Sequence, residues 1–295
     1  MTEKILILGG SGMLGWQMTN LLYKKKNLTV TVSNLNSSQV LKKKIGKNLN
    51  VIKLDLLKCK KKRLKNIISK HDIIINCVGL IKPYIKDDNS ENIKKAIKLN
   101  SILPNTLFEL TKNTNIKIYQ IATDCVFSGK SKRYNENSKH DCEDVYGKTK
   151  SLGEIYSKNF FNIRCSIIGE EIKNYKSLIS WFISNKSGTK VNGFSNHEWN
   201  GITTNAFAKI VEAIINFKIN LPNMFHVTPK NKVSKYKLLK LLNKKYNKNL
   251  KIKKFLSKVS VNRTLETNNK RLNNLVWKKT DFKGIPTIEK MISQI

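Results

Sequence analysis

The stretch LILGGSGMLG, residues 6–15, decides how this chain is to be folded. It continues the apolar run KILIL (4–8), short enough for a buried strand, and leads into MLGWQMTNLLYKK (13–25), whose apolar residues recur at helical spacing. Between the two, Gly9, Gly12 and Gly15 recur every third residue. Glycines at a strand-to-helix turn permit a tight bend, close approach of backbone to a pyrophosphate, and close packing of helix on strand. The helix that follows would turn its free N–H groups and positive dipole end toward phosphates, beside Ser11, Met13 and Leu14. A plain tight turn without a ligand has the same glycines; the strand before them and the helix after them favour the nucleotide.

Outward from this turn, short apolar runs alternate with helical patterns, the rhythm of a parallel sheet with crossover helices. LTVTVS (28–33), VIKLDL (51–56), DIIINCVG (72–79), NIKIYQIA (115–122) and FNIRCSIIG (161–169) read as strands two to six. A helix is expected through AIKLNSILPNTLFELTKN (96–113), and another from Tyr146 to about Asn159. Beyond residue 170 the rhythm breaks into helices such as SLISWFISN and TNAFAKIVEAIINF between polar loops. The expected fold is α/β: a Rossmann-type, doubly wound parallel sheet over residues 1–170. Residues 171–295 form a smaller C-terminal substrate lobe, interleaved with the first part because no clean linker separates them.

Composition narrows the function classes. The 295 residues, 40% of them hydrophobic, can bury a sizeable core. The longest apolar runs are broken by glycine and fall short of the ~18 residues of a membrane span. No secretory leader is read in the opening residues, and the five scattered cysteines form no C-x-x-C; a cytoplasmic protein with reduced thiols is expected. The net charge of +36 raises nucleic acid as a partner, but the excess is nearly all lysine. Arginine, which reads phosphate and base edges best, occurs only at positions 63, 133, 164, 263 and 271. KCKKKRLKN (58–66) is the one local basic patch, on an expected surface helix. Neither nucleic acid nor membrane is the expected partner, and a positive surface still favours encounter with anionic small molecules. His71, His140, His197 and His226 show no metal spacing, so no metal is assigned.

At the end of the second strand an NAD-type site would carry an acid for the ribose 2′-hydroxyl. Here stand Ser33 and Asn34, small and uncharged, with lysines nearby, and the balance tips toward NADP(H) over NAD(H). Asp55, ending the third strand, is placed either to meet the adenine edge or to close a turn. Leu56, Asn100, and Cys77, Val78 and Gly79 at the end of the fourth strand complete the expected cofactor contacts. In DVYGKTKSLGE (144–154), Tyr146 and Lys150 share one helical face. Thr123 ends the fifth strand, so Thr123, Tyr146 and Lys150 converge where ligands of such sheets bind. A neutral phenol has a pKa near ~10. Lys150 one turn away is expected to lower that of Tyr146 and fit it for proton transfer.

This combination resembles the extended short-chain dehydrogenase/reductase family. Within it, ATDCVFSG (122–129) looks like the (S)TDYVFDG signature of the dTDP-4-dehydrorhamnose reductases. FNIRCSIIG is similar to the strand after their catalytic helix, NHEWNGITTNAFAKI (196–210) to their substrate loop, and VNRTLET (261–267) to their late arginine-containing loop. The resemblance implies a nicotinamide-dependent reductase acting on the 4-keto group of a nucleotide-linked 6-deoxysugar, for surface polysaccharide synthesis, as a possible homodimer. It implies Tyr146 as proton donor, Thr123 as a hydrogen-bond partner of the same carbonyl, and Lys150 on the nicotinamide ribose. Asp124, Cys125, Asn200 and Arg263 are the implied substrate contacts. Arg263 is read as a contact to the sugar-nucleotide pyrophosphate ahead of a surface salt bridge, and Trp199 and Asn200 are equally readable as packed loop anchors. The chain departs from the family at Cys125 (usually Tyr), Ser128 (Asp), Asn196-His197 (Asp-Gln) and Thr203 (Pro). Those positions bear on the sugar more than on the chemistry. Two rival functions stay open: a nucleotide-sugar epimerase using His140, Cys142 or His197 as further acid/base groups, and a non-catalytic NADP-binding regulatory subunit.

Overall fold

The computed structural model describes residues 3–24, 27–131 and 133–295. Its first six strands are β1 (Lys4–Leu8), β2 (Asn27–Val32), β3 (Asn50–Lys53), β4 (Ile73–Asn76), β5 (Lys117–Thr123) and β6 (Phe160–Cys165). With Met224–His226 they form one seven-stranded sheet, ordered β3-β2-β1-β4-β5-β6 and then Met224–His226. Every pairing in it is parallel. The chain winds outward to β3, returns across the sheet to β4 beside β1, and winds outward again. Strand order therefore reverses between β1 and β4, where a crevice opens at the carboxyl ends of the strands.

The apolar run at β1 is explained by burial on both faces, which removes the need for polar alternation. Ile5 and Ile7 enter one core with Val30 and Val32 of β2, Met18 and Leu22 of α1 (Met13–Leu22), and the helix Thr204–Asn216. Leu6 and Leu8 point the other way, into a second core. There they meet Leu64 and Ile68, and Leu103 and Leu107; α2 (Leu35–Ile45) follows β2, and α3 (Lys61–Ile68) carries the first of those pairs.

Helix boundaries differ from the sequence reading in instructive ways. The helix foreseen through 96–113 is α4 (Ser90–Ala96), a π-helical turn Ile97–Ile102, and α5 (Leu103–Thr111). Pro104 has no N–H to give to the Asn100 carbonyl, and the Leu103 N–H reaches back five residues to Lys98. The helix expected to run to about Asn159 is α6 (Val145–Leu152) and stops at Gly153. A side chain at Gly153 would sit 1.9 Å from the Asn100 carbonyl oxygen, and Gln120 of β5 donates to the Gly153 carbonyl at 2.7 Å. The π-turn and the end of α6 are thus locked together against β5. For α1, the foreseen last residue Lys25 lies outside the described residues.

Beyond β6 the chain builds three small sheets. Ile167–Ile168 pairs with Ile202–Thr203, so the strand expected over 161–169 breaks after Cys165. His197–Trp199 lies between Val233–Ser234 and Val261–Asn262, and Lys190–Phe194 pairs with Lys251–Phe255. Met224–His226 and Thr204–Asn216 return to the main sheet and to α1 respectively.

Candidate functional site

A cleft of about 470 Å³ opens over the ends of β4, β5 and β6, lined among others by Ser11–Leu14, Cys77–Gly79, Ile121–Thr123, Tyr146 and Lys150. A second compartment of about 200 Å³ shares Ser11, Gly12, Ser33 and Cys77–Gly79 with it and continues to Asp55 and Leu56. Together they make an elongated groove along the crevice between β1 and β4.

The glycine turn shapes its floor. Gly9 holds φ at 80°, a conformation disfavoured for other residues, and a Cβ there would lie 2.8 Å from a methyl of Val78. Gly15 does not line the groove; a Cβ on it would meet the Gly9 carbonyl at 2.1 Å, so it lets α1 press onto the turn. The α1 N-terminus has Gly12 as cap with no side-chain hydrogen bond and no acid in its first turn. Its first-turn N–H groups lack intrahelical acceptors and sit where Ser11–Leu14 face the cleft. Uncapped donors, no acid and closely approachable backbone fit the pyrophosphate of a dinucleotide.

Thr123, Tyr146 and Lys150 meet in the larger compartment. α6 is capped by Asp144, whose carboxylate accepts from the Gly147 N–H at 2.7 Å and pairs with Lys82 at 2.8 Å. Thr123 Oγ1 accepts from the Cys125 N–H at 3.1 Å and donates to Asp124 at 3.3 Å, while the Tyr146 hydroxyl is hydrogen-bonded to Thr123. Lys150, 6% exposed, donates to the Ile121 carbonyl at 2.9 Å.

The electrostatics correct one expectation. Burial pushes the Tyr146 phenol well above its ordinary value, and the nearby Cys125, Asp124 and Asp144 add to the rise against the Thr123 hydrogen bond. Lys150 is itself desolvated, and burial brings its ammonium down to about 8. Its charged neighbours are Glu154, which favours the ammonium, and Arg164, which opposes it. The protein's own groups thus hold Tyr146 as a neutral phenol with a proton to give. Below Lys150 lies a buried polar knot. Arg164, fully buried, donates to Glu154 at 2.6 Å and to the Nε2 atoms of His226 and His140, each at 2.9 Å. Burial and Arg164 push His226 down to about 4, consistent with a neutral ring that accepts from the arginine.

Several other expected residues have different surroundings. Asn34 lines neither compartment; its side chain caps α2 by accepting from the Ser37 N–H at 2.9 Å. Asn100, 1% exposed, is turned behind the groove, where it clamps both the N–H and the carbonyl of Leu80 and bonds Thr149. Asp55 lines the small compartment and also accepts from the Leu57 N–H at 3.0 Å, closing the turn after β3. Asn200 is bonded at both ends of its amide to Leu265, at 2.7 and 2.9 Å, and Trp199 is buried with its indole N–H on Ser166: both anchor the loop. Asp124 is buried and Cys125 is pushed up to about 12 by burial; they sit beside the cleft rather than in its wall. Arg263 donates to the Phe127 carbonyl at 2.7 Å, and its charge is felt at Cys125, Asp144 and Lys235. None of His140, Cys142 and His197 lines the cleft; His197 stacks on Phe194.

Two lysines escaped the sequence reading. Lys235 packs over the Trp199 ring at 5.4 Å within the field of Asp124 and Cys125. Lys173 lines both compartments. In a chain so rich in lysine neither carries a local signal. No helix among the described residues is long and apolar enough to cross a membrane, and no group of three or more His, Cys, Asp or Glu among them is placed to hold a metal ion.

Comparison with curated proteins finds no match to this sequence. Among solved structures, the chain is similar to a dTDP-4-dehydrorhamnose reductase from Clostridium acetobutylicum (20% identity, TM-score 0.72, covering 99% of this chain and 97% of that one). It is similar to a dTDP-4-dehydrorhamnose reductase from Bacillus anthracis in complex with NADP (17%, 0.71, 99% and 98%). It is also similar to a UDP-glucuronic acid 4-epimerase from Bacillus cereus in complex with NAD (15%, 0.70, 99% and 97%). At these identities the likeness establishes the fold. The sequence itself matches the family model described as RmlD substrate binding domain over residues 3–294. The chain therefore belongs to that family, an extended short-chain dehydrogenase/reductase of the dTDP-4-dehydrorhamnose reductase-like kind.

Proposed function

We propose that the protein reduces the 4-keto group of a nucleotide-linked 6-deoxysugar with NAD(P)H. The observation that carries this reading is the convergence of Thr123, Tyr146 and Lys150 on one wall of a groove whose other end is an uncapped helix N-terminus behind a glycine turn. When bound there, a reduced nicotinamide supplies the hydride. Tyr146 delivers a proton to the carbonyl oxygen, Thr123 donates or shares a hydrogen bond at that oxygen, and the charge of Lys150 compensates the phenolate left behind. Solvent then returns the proton to Tyr146. Lys235 and Arg263, flanking Asp124 and Cys125, suit the diphosphate of the sugar nucleotide. The absence of His140, Cys142 and His197 from the cleft wall favours reduction over epimerisation, which asks for further acid/base groups. The proposal extends to a cytoplasmic homodimer serving surface polysaccharide synthesis, as the family resemblance implies.

The test is NADPH and NADH oxidation with dTDP- and UDP-linked 4-keto-6-deoxysugars, comparing wild type with Tyr146→Phe. Turnover present in the first and lost in the second supports the reductase. Cofactor binding without turnover on any of these sugars sinks it, in favour of an epimerase or a regulatory subunit.

A further inference from the structure

Lys173 belongs to neither the glycine turn nor the β2–α2 connection, yet it reaches the adenosine end of the groove. It lines both compartments, and its Nζ donates to the Ser37 hydroxyl in the first turn of α2 at 2.6 Å, across 136 residues of sequence. Its position is built rather than incidental. The segment that carries it is tied down where the Trp16 indole donates to the Glu170 carbonyl at 2.8 Å. It is tied again where Glu171 accepts from the Ser177 N–H at 2.7 Å. Between these ties Asn174 and Tyr175 turn the chain with φ of 69° and 50°. Burial lowers the ammonium's pKa, and no carboxylate is among the influences on it. A half-buried cation held by a hydroxyl alone still has strong donor capacity to spend on an anion.

The surroundings say which anion. Beside it are Ser33 and Ser37, and β2 ends without the acid that would grip a free ribose 2′-hydroxyl and repel a phosphate there. We propose that Lys173, held in place by the Ser37 hydroxyl, is the residue that selects NADP(H), by binding the 2′-phosphate of its adenosine ribose. This rests on the nicotinamide reading above and adds the source of its specificity: a cation contributed by the segment after β6, strapped over the cofactor groove.

The experiment is fluorescence titration of the full chain with NADPH and with NADH, for wild type, Lys173→Met, Lys173→Glu and Lys173→Arg. A charge-assisted hydrogen bond contributes on the order of 1.5–3 kcal/mol, so wild type is expected to bind NADPH at least about tenfold more tightly than NADH. Lys173→Met should weaken NADPH by about the same factor and leave NADH within about twofold, Lys173→Glu should reverse the preference, and Lys173→Arg should keep it. Equal loss for both dinucleotides in Lys173→Met would make the residue a structural tie and overturn the proposal, as would a wild type that does not discriminate. Failure of the wild type to bind either dinucleotide would instead bring down the nicotinamide reading itself, and this assignment with it.

Discussion

The strand ends of the first sheet and the loops of the C-terminal part border the same groove, but they place their side chains by different means. On the sheet, Cys77–Gly79, Thr123 and the Tyr146–Lys150 pair arrive at the cleft because β4 and β5 are adjacent parallel strands and α6 packs against β5. After β6, neighbours in sequence part company: Trp199 and Asn200 are consumed as anchors, while Lys173 and Lys235 reach inward from segments with no motif at all. A regular element positions residues by its period. A loop positions them by whichever polar groups need partners, since its backbone must be satisfied by side chains.

The sharpest way to break this contrast is at Tyr146. Removing its hydroxyl as Tyr146→Phe should cut reductase turnover by roughly a hundredfold or more, the usual contribution of a general acid, with NADPH affinity unchanged by titration. A variant that keeps near-normal turnover would show that α6 does not place the proton donor.

Next in size is Glu154→Gln. It strips the only carboxylate among the described residues that is hydrogen-bonded to the buried Arg164, and leaving a buried charge uncompensated should cost about 3 kcal/mol in denaturant unfolding. The same change removes the influence that favours the Lys150 ammonium while Arg164 still opposes it. The rate of the wild type is therefore expected to fall as pH rises through about 8, where Lys150 loses its proton, and the falling limb should move to lower pH in the variant. The stability sign is opposite. The folded pKa of about 8 lies below the unfolded value, so the unfolded chain binds more protons between the two. This group therefore makes folding more favourable as pH rises through that window. A pH–rate profile flat from about 7 to 9 would show that Lys150 is not needed as a cation.

The smallest effect belongs to the loops. Asn200→Ala loses both bonds to Leu265 and should lower stability by about 1–2 kcal/mol with the KM for the sugar nucleotide unchanged. A large rise in KM at undiminished stability would return Asn200 to the substrate.

How far the chain was legible follows the same division. The glycine turn, the strand succession and the Tyr146–Lys150 face were readable because local geometry alone fixes which way those residues point. The early end of α6 was not. It depends on Gly153 meeting the Asn100 carbonyl and on Gln120 from β5, contacts between residues 33 or more positions apart. The pKa of Tyr146 was misjudged for a related reason. Spacing shows that a lysine is near, but only packing shows that both groups are stripped of water, which raises the phenol and lowers the ammonium.

By itself, then, the sequence determined a parallel nucleotide-binding sheet and the residues that meet at its strand ends, since periodicity and turn chemistry are local properties of the chain. Tertiary structure decided what each loop residue does and which of many lysines matter. Lys173 is distinguished from the others only by the hydroxyl it finds on α2 and the groove it overlooks, and both are consequences of burial and distance that no stretch of sequence contains.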